Sequence, residues 1–357
     1  MSNEKFEIEQ LLPALRAIGG NEAAREKFLV LCKAIEKDLT DYPGVVRDDV
    51  VGPLVDALHD EDTVVRKVLS DGAVFDFLYR TKIARDFVLS TPAIPDHVWE
   101  PQTTKLLVHL AKSCSDVLVG GAYFGDQVVL MARAMQAGNG RCHAFEPNKD
   151  QFAMLRHNAQ LNGLQNIQGW QMGLWSESSA QLRLVGNDSF AYSELATGDA
   201  EDSFSTVTID DYCREHGVER LGLIMLDIEG AESKVLNGAI EQLSRPAPEA
   251  PSIVFEVHRH YVDWSEGLDK TPIARFLSDL GYTLYAIRDF NSNTDMRGRP
   301  VELVPVDDVY LEGPPHGFNV LAVKDPKVLT GLPVVYCPGV SPKLLWHKNP
   351  LLHHPLN

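Results

Sequence analysis

The chain is poor in positive charge. Its 357 residues include 33 lysines and arginines against 50 aspartates and glutamates, which gives a formal net charge of -17, and the basic residues form no cluster. Proteins bind nucleic acid largely through lysine and arginine contacts to phosphate, so a chain of this sign is poorly matched to DNA or RNA. We therefore expect a substrate other than nucleic acid.

Paired cysteines and long apolar runs are also missing. The five cysteines are scattered and none forms a Cys-x-x-Cys pair, so neither a disulfide framework nor a zinc cage is indicated. No run approaches the roughly 18 apolar residues that span a bilayer, and the first residues lack the basic segment and apolar stretch of a secretory signal. We expect a soluble protein of the reducing cytoplasm with no membrane partner.

The periodicity of the apolar residues divides the chain into unequal parts. From about residue 6 to 112 they recur at helical spacing, which predicts an all-helical N-terminal region over residues 1–95. Beyond Pro95, short β-rich runs alternate with helix-length amphipathic segments, which indicates βαβ units and a largely parallel sheet over residues 96–325. The tail, residues 326–357, is rich in proline, leucine, histidine and aromatic residues. We expect it to pack on the domain or on a partner subunit.

The second domain is predicted to contain strands that alternate with helices. The strands are expected at residues 117–119, 142–145, 167–172, 223–226, 253–257, 282–287 and 318–323. The helices are expected at residues 126–136, 150–162, 209–216, 231–242 and 271–280. A polar insertion over residues 181–202 predicts a hairpin and a loop before a strand near Thr206.

A glycine turn follows the first of these strands. Gly121 and Gly125 permit unusual backbone angles, and their missing side chains let backbone N–H groups approach a ligand at the start of the next helix. The spacing Gly-x-x-x-Gly differs from the dinucleotide pattern Gly-x-Gly-x-x-Gly, which disfavours a nicotinamide cofactor. On its own, such a turn is often a plain connection.

Glu146 gives the turn a partner. It closes the second strand, and the following Pro147 makes the chain leave the sheet there. A carboxylate at this strand tip can accept hydrogen bonds from both hydroxyls of a ribose, although a helix cap or a solvated strand end is the alternative. At the third strand tip, Met172, Gly173 and Leu174 are suited to enclosing an adenine ring, with ordinary core packing as the other interpretation.

Carboxylates and a histidine follow the next two strands. Asp227 ends an apolar strand at the sheet edge where ligands of open α/β folds bind. On the neighbouring strand, alternation places Glu256 and His258 on one face, where they can meet Asp227. A histidine there suits removal of a proton from a substrate hydroxyl, although a lone histidine is more often a surface or core residue. The carboxylates could instead hold Mg²⁺, but nothing in their spacing indicates a metal.

These segments together resemble the FkbM-type family of S-adenosylmethionine-dependent methyltransferases, over about residues 96–325. The segments that carry the resemblance are Trp99-Glu100-Pro101, Gly121-Ala122-Tyr123-Phe124-Gly125-Asp126, Phe145-Glu146-Pro147, Leu226-Asp227-Ile228-Glu229-Gly230-Ala231-Glu232, Val235-Leu236-Asn237-Gly238-Ala239, Phe255-Glu256-Val257-His258 and Leu280-Gly281-Tyr282. The resemblance implies a class I methyltransferase fold, with a seven-stranded, mostly parallel sheet flanked by helices. It also implies O-methylation of a hydroxyl on a sugar, polyketide or similar small molecule.

We hypothesise roles within the site from these residues, and the resemblance agrees with them. Asp227, Glu256 and His258 are the expected catalytic residues. The expected cofactor-binding residues are Glu100, Gly121, Ala122, Tyr123, Gly125, Asp126, Glu146, Met172, Gly173 and Leu174. An acidic residue common before the glycine turn is Val119 here, so the methionine amino group must find Asp126, Glu100 or backbone carbonyls instead. A lysine frequent before the Asp-x-Glu-Gly segment is also replaced, by Met225 or Leu226.

Two other functions remain open. A catalytically silent methyltransferase-like domain could serve as a scaffold through its N-terminal helices, although the glycine turn, Glu146 and Asp227 are all present. An NAD-dependent oxidoreductase is disfavoured by the glycine spacing. The N-terminal region is expected to cover the acceptor site, to mediate homodimerisation, or both.

Overall fold

The computed structural model describes residues 10–95, 99–186, 191–196, 203–290, 293–311 and 317–344. Helices and strands are numbered in chain order. The helices are α1 (Leu11–Gly19), α2 (Glu22–Asp38), α3 (Gly52–Asp56), α4 (Lys82–Leu89), α5 (Pro101–Ala111), α6 (Asp126–Met135), α7 (Lys149–Leu161), α8 (Ile209–Glu215), α9 (Glu232–Asn237), α10 (Ile240–Leu243) and α11 (Pro272–Asp279). The strands are β1 (Val64–Val68), β2 (Val74–Leu78), β3 (Asp116–Gly120), β4 (Arg141–Phe145), β5 (Ile167–Trp170), β6 (Gly173–Leu174), β7 (Gln181–Val185), β8 (Tyr192–Leu195), β9 (Ser203–Val207), β10 (Leu223–Leu226), β11 (Ser252–His258), β12 (Thr283–Ile287), β13 (Asp289–Phe290), β14 (Val301–Pro305), β15 (Gly317–Val323), β16 (Val334–Tyr336) and β17 (Lys343–Leu344).

A nine-stranded mixed sheet forms the centre of the molecule. Its order is β16-β14-β12-β15-β11-β10-β3-β4-β5. Strands β5, β4, β3, β10 and β11 run parallel, whereas β15 is antiparallel to both of its neighbours. The seven strands from β12 to β5 form the class I methyltransferase sheet that was predicted, with helices between its successive strands as far as β12. The tips of the parallel strands therefore meet at one edge.

The predicted elements of this domain are confirmed, with small departures. The predicted seven strands are extended to nine because β14 and β16 add to the edge beside β12. The predicted helix 231–242 is divided into two short helices, because the chain bends at Gly238. A β-carbon at Gly238 would lie 2.5 Å from Trp175 O. The strand predicted at 167–172 ends at Trp170.

The prediction of an all-helical N-terminal region is wrong. Strands β1 and β2 form an antiparallel hairpin in which Val64 faces Leu78 and Val68 faces Val74. The exposure of β1 alternates from residue to residue, which is the period of a strand, and its valines are β-branched. The turn contains Gly72 at φ +82°, a conformation that glycine adopts without strain.

The N-terminal hairpin and the sheet domain share one hydrophobic core. Phe124, inside the glycine turn, packs its ring 6.1 Å from Phe75, 5.6 Å from Phe77 and 5.5 Å from Phe87. Asn158 on α7 is fully buried; its side-chain amide donates to Asp76 O at 2.9 Å and to Phe124 O at 2.8 Å, and its oxygen accepts from Asp76 N at 2.8 Å. The glycine turn is thus held from the N-terminal side.

The insertion and the tail add smaller sheets. Strands β6, β9, β7 and β8 form a four-stranded sheet beside the main one, which confirms the predicted hairpin and the strand near Thr206. In the tail, β16 pairs with β14 and β17 pairs with β13. Trp346, His347, His353 and His354 lie outside the described residues. Over the described ranges, every helix is too short or too polar to cross a membrane.

Candidate active site

A cavity of about 380 Å³ opens at the carboxyl edge of the parallel strands. Its walls include residues that follow β3, β4 and β10, together with the end of β11. The predicted site residues that line it are Glu100, Gly121, Ala122, Tyr123, Asp126, Glu146, Asp227, Glu256 and His258. Strand tips that are far apart in sequence are therefore brought to one place, the position where open α/β sheets hold their ligands.

The glycine turn is shaped by its contact with the next strand tip. Gly121 has φ +78° and Gly125 has φ +91°, and Tyr123 between them has φ +48°. A β-carbon on Gly121 would lie 1.8 Å from Asp227 O, so no other residue fits there. Gly125 is the N-cap of α6 and is not part of the cavity wall, whereas Asp126 in the first turn of that helix is.

Glu146 lies at the tip of β4 and is 6% exposed. Its Oε2 accepts the N–H of Tyr123 at 2.8 Å, and its Oε1 accepts the N–H of Asn148 at 2.8 Å. These bonds fix the carboxylate and join it to the glycine turn. Each carboxylate oxygen has a second lone pair, so the group can also accept ligand hydroxyls.

A small recess of about 30 Å³ adjoins the main cavity. Met172, Gly173 and Leu174 line it, which is the place predicted for them as neighbours of a ring. Gly121 and Pro147 line both spaces. The recess is therefore the apolar end of the site, beside Glu146.

Three carboxylates cluster in the wall of the main cavity, outside the wall of the recess. Single oxygens of Asp227, Glu229 and Glu256 all lie within 4.8 Å of one another, and Glu229 has a left-handed backbone with φ +52°. Burial, followed by the charges of Glu100 and Glu229, raises the pKa of Asp227 well above its usual range. Burial, followed by the charge of Asp227, raises the pKa of Glu256 in the same way. Each of the two carboxyls therefore holds a proton more readily than a carboxyl in water does, and ionisation of one makes ionisation of the other harder.

The cluster has the donor set for a divalent cation as well as groups that hold protons. Carboxylate oxygens are the ligands that Mg²⁺ prefers. The sequence spacing did not indicate this grouping, because Glu256 arrives from a different strand. One atom of the cluster, Glu256 Oε2, is buried and has no hydrogen-bond partner within the described residues, so it is free to accept from a bound group.

His258 is held in one tautomer. The backbone N–H of His260 donates to His258 Nδ1 at 3.1 Å. An atom that accepts this bond carries no proton, so the proton of the neutral ring is on Nε2. In this state the ring can donate a hydrogen bond through Nε2 but cannot take a proton there, which bears directly on the role of base expected for it.

Several cavity residues were not predicted. Lys343 reaches the cavity from the tail and lies 3.3 Å from Glu100 Oε1. Lys82, Ile83 and Asp86 line it from α4. No local motif marks these residues, because each belongs to a segment outside the family resemblance or at its edge. Among the residues that the structure describes, seven carboxylates and two lysines line the cavity.

Comparisons with known proteins identify one family model and several solved structures that are similar to this chain. A family model described as "Methyltransferase FkbM domain" matches residues 120–284, a little under half of the chain. No curated protein matches the chain.

Among solved structures, the methyltransferase FkbM from Methylobacillus flagellatus KT is 13% identical, with a TM-score of 0.34; the alignment covers 58% of this chain and 43% of that one. The chain thus spans less than half the length of that protein. An O-methyltransferase from Bacillus cereus in complex with SAH is 14% identical, with a TM-score of 0.34 and coverage of 62% and 80%. An O-methyltransferase from Streptomyces achromogenes involved in tomaymycin synthesis is 14% identical, with a TM-score of 0.34 and coverage of 65% and 83%. By the family match, residues 120–284 are similar to the methyltransferase domain of the FkbM family.

Proposed function

We propose that this protein is an S-adenosylmethionine-dependent methyltransferase that methylates a hydroxyl group of a small molecule, such as a sugar or a natural product. The observation that carries the proposal is the shared cavity, which joins the glycine turn, Glu146 and the pair of Asp227 and Glu256. One end has the groups that a nucleoside needs, and the other has groups able to accept a proton.

We assign the cofactor-binding residues by their places in and beside the cavity. In this proposal Met172, Gly173 and Leu174 contact one edge of the adenine at the recess, and Glu146 accepts from the ribose hydroxyls. Gly121, Ala122, Tyr123 and Gly125 wrap the methionine portion, with Asp126 and Glu100 beside its amino group. A β-carbon on Gly121 would overlap Asp227 O, so glycine at this position lets the turn lie directly against Asp227 in the same cavity wall.

Bound S-adenosylmethionine supplies a methyl group that is already activated on a sulfonium sulfur. The chain must then align the acceptor oxygen, exclude water and remove the acceptor proton. Burial and mutual repulsion raise the pKa values of Asp227 and Glu256, which makes an ionised carboxylate of this pair a good acceptor for the proton of the acceptor hydroxyl. His258, whose proton is on Nε2, donates to the acceptor oxygen or to the carboxylate pair and orients it.

The charge of the cavity favours some acceptors over others. Seven carboxylates against two lysines disfavour a phosphorylated, sulfated or carboxylated acceptor near the reacting oxygen. A neutral polyhydroxylated molecule, or one with an amino group, fits this environment. The three-carboxylate cluster could also hold Mg²⁺ beside such an acceptor, and the assay should therefore be run with and without a chelator.

The N-terminal region is the proposed wall of the acceptor end. Lys82 and Ile83 of α4 line the cavity, as does Trp99, whose ring packs 5.7 Å from Phe87. A homodimer is the proposed assembly, and the apolar side chains of Val30 and Leu31, exposed on α2, are a surface that it could cover.

The test is a binding measurement followed by an assay of methyl transfer. Calorimetric titration with S-adenosylhomocysteine and with NAD should show binding of the former alone. Mass spectrometry should then detect a mass gain of one methyl group on neutral or amino-bearing polyols supplied with S-adenosylmethionine, and Asp227→Asn should abolish it. Binding without transfer to any acceptor class would favour the scaffold, and binding of NAD alone would remove the proposal.

A further inference from the structure

Lys343 places an ammonium group inside the cavity. The residue is 7% exposed and belongs to β17, which pairs in parallel with β13. The backbone around it is fixed, since Asp289 N–H donates to Pro342 O at 2.9 Å and Lys343 N–H donates to Ser341 Oγ at 3.2 Å. The tail thus presents this side chain from a defined position.

The partner of Lys343 is Glu100, which is itself tightly held. Glu100 Oε2 accepts from Asn319 Nδ2 at 2.6 Å, and its backbone N–H donates to Phe290 O at 3.0 Å. Lys343 Nζ lies 3.3 Å from Glu100 Oε1, which is longer than the ~2.7–2.9 Å of a charge-assisted hydrogen bond. An ammonium group has three donors, so the loose contact leaves Lys343 able to bind a further anion.

The pair lies at the charged end of the cavity. The charge of Glu100 is a main contributor, after burial, to the raised pKa of Asp227, and Asp126 at the start of α6 also contributes. The apolar recess, by contrast, has neither Glu100 nor Lys343 in its wall. A ligand that places an apolar ring in the recess and passes Glu146 would extend its far end toward this pair.

We propose that Glu100 and Lys343 together bind the amino-acid end of S-adenosylmethionine, with Lys343 Nζ donating to the α-carboxylate and Glu100 accepting from the α-ammonium. The inference rests on the proposed function. An amino acid carries one positive and one negative charge a few ångströms apart, and this pair offers the opposite charges at a similar separation. The other lysine in the cavity wall, Lys82, is bound to Asp48 Oδ2 at 2.7 Å, which leaves Lys343 as the lysine suited to a carboxylate.

The experiment compares two ligands that differ in their amino-acid end. S-adenosylhomocysteine has the α-carboxylate and the α-ammonium, whereas 5′-methylthioadenosine lacks both. Calorimetric titrations of the unaltered protein, of Lys343→Met and of the control Lys324→Met measure both affinities. We expect Lys343→Met to weaken S-adenosylhomocysteine binding about tenfold or more, as the loss of a charged hydrogen bond does, and to leave 5′-methylthioadenosine binding unchanged. Lys324 is outside the cavity wall and donates to Arg245 O at 2.9 Å, so Lys324→Met should alter neither affinity.

The other possible results of these titrations lead to different conclusions. If Lys343→Met binds S-adenosylhomocysteine as tightly as the unaltered protein, the inference fails while the proposed function stands. If it weakens both ligands equally, Lys343 has only a structural role and the inference also fails. If the unaltered protein binds neither ligand, the proposed function itself is lost.

Removing Lys343 leaves a buried carboxylate without its counter-charge, so Lys343→Met could unfold. Two measurements guard against this. The double variant Glu100→Gln/Lys343→Met removes both charges together, and it should show the same selective loss. The unaltered protein should also bind S-adenosylhomocysteine at least about tenfold more tightly than the decarboxylated analogue, and equal affinities would overturn the inference.

Discussion

A β-carbon placed on Gly121 would lie 1.8 Å from the carbonyl oxygen of Asp227. The glycine turn and the tip of β10 are thus in direct backbone contact, and Asp227 N–H donates to Gly120 O at 3.1 Å in the same region. We predict that Gly121→Ala abolishes measurable binding of S-adenosylhomocysteine, because the turn and Asp227 must separate to admit the methyl group. Calorimetry measures the affinity, and thermal unfolding measures the stability.

Gly163→Ala is the matched control for this change. Gly163 also has a left-handed backbone, with φ +65°, but nothing lies within 4 Å of its added β-carbon. The control should cost only the ~1–2 kcal/mol of a left-handed alanine and should bind the cofactor product normally. Equal losses in the two variants would show that backbone conformation, and not the contact with Asp227, is what matters.

Glu146→Gln should weaken S-adenosylhomocysteine binding by about 10- to 100-fold, since hydrogen bonds to a charged group contribute roughly 1.5–3 kcal/mol. In the unaltered protein the backbone N–H groups of Tyr123 and Asn148 donate to the Glu146 carboxylate. Glutamine has the same size, but its amide N–H would face one of these N–H groups. Calorimetry measures the affinity. Asp150→Asn, three residues after Pro147 and in an exposed ion pair with Arg80, should have no effect; unchanged affinity in Glu146→Gln would remove the ribose assignment.

The carboxylate cluster predicts how stability depends on pH. The pKa values of Asp227 and Glu256 are raised by burial and by neighbouring carboxylates, and burial raises the pKa of Glu232 to about 7. The folded state therefore holds more protons than the unfolded state above the ordinary carboxyl pKa. This contribution to stability is present in full below that value and is lost as the pH rises through the raised pKa values.

We accordingly expect Glu256→Gln to raise the melting temperature of the ligand-free protein at pH 8 and to flatten its decline between pH 5 and 8. Thermal unfolding followed across this range measures both. Glu215→Gln changes an exposed glutamate at the end of α8 and serves as the control for net charge. A slope in Glu256→Gln that matches the unaltered protein would show that the cluster does not hold protons above the ordinary carboxyl pKa.

Two variants of His258 distinguish a role as hydrogen-bond donor from a role as general base. His258→Gln retains an N–H near the position of Nε2, whereas His258→Ala does not. The bond from His260 N–H to Nδ1 indicates that the ring donates through Nε2. If so, His258→Gln should keep most of the turnover. His258→Ala should have a turnover about tenfold lower, which is the effect of losing one hydrogen bond of ~1.4 kcal/mol. The acidic limb of the pH profile should persist in both variants, because it belongs to Asp227 and Glu256. Equal, large losses with no acidic limb would restore His258 as the base.

The parts of the fold that depend on local patterns could be predicted from the sequence. Strands such as β3 and β10 are short apolar runs that end in glycine or aspartate, so both their existence and their functional tips are visible in the chain. The hairpin of β1 and β2 was missed because the valines of β1 also satisfy helical spacing, and only pairing with β2 decides between the two.

The missing parts of the site depend on contacts between distant segments. Lys343 meets Glu100 across 243 positions of the chain, and no spacing rule reports such a contact. The role of His258 depended on a single bond to the backbone two residues later, which the residue types alone do not specify. In the same way, Glu229 joins Asp227 and Glu256 because its backbone turns into the left-handed region.

The phenylalanine cluster around Phe124 has a consequence for the dynamics of the molecule. The ring of Phe124 is at the centre of the glycine turn, and its neighbours Phe75 and Phe77 belong to β2. A motion that separates the hairpin from α7 must also free the glycine turn. A nucleoside bound at the turn would therefore slow amide hydrogen exchange in β1 and β2, although neither strand contacts the nucleoside. The rate of amide exchange in the N-terminal hairpin therefore indicates whether the cavity is occupied.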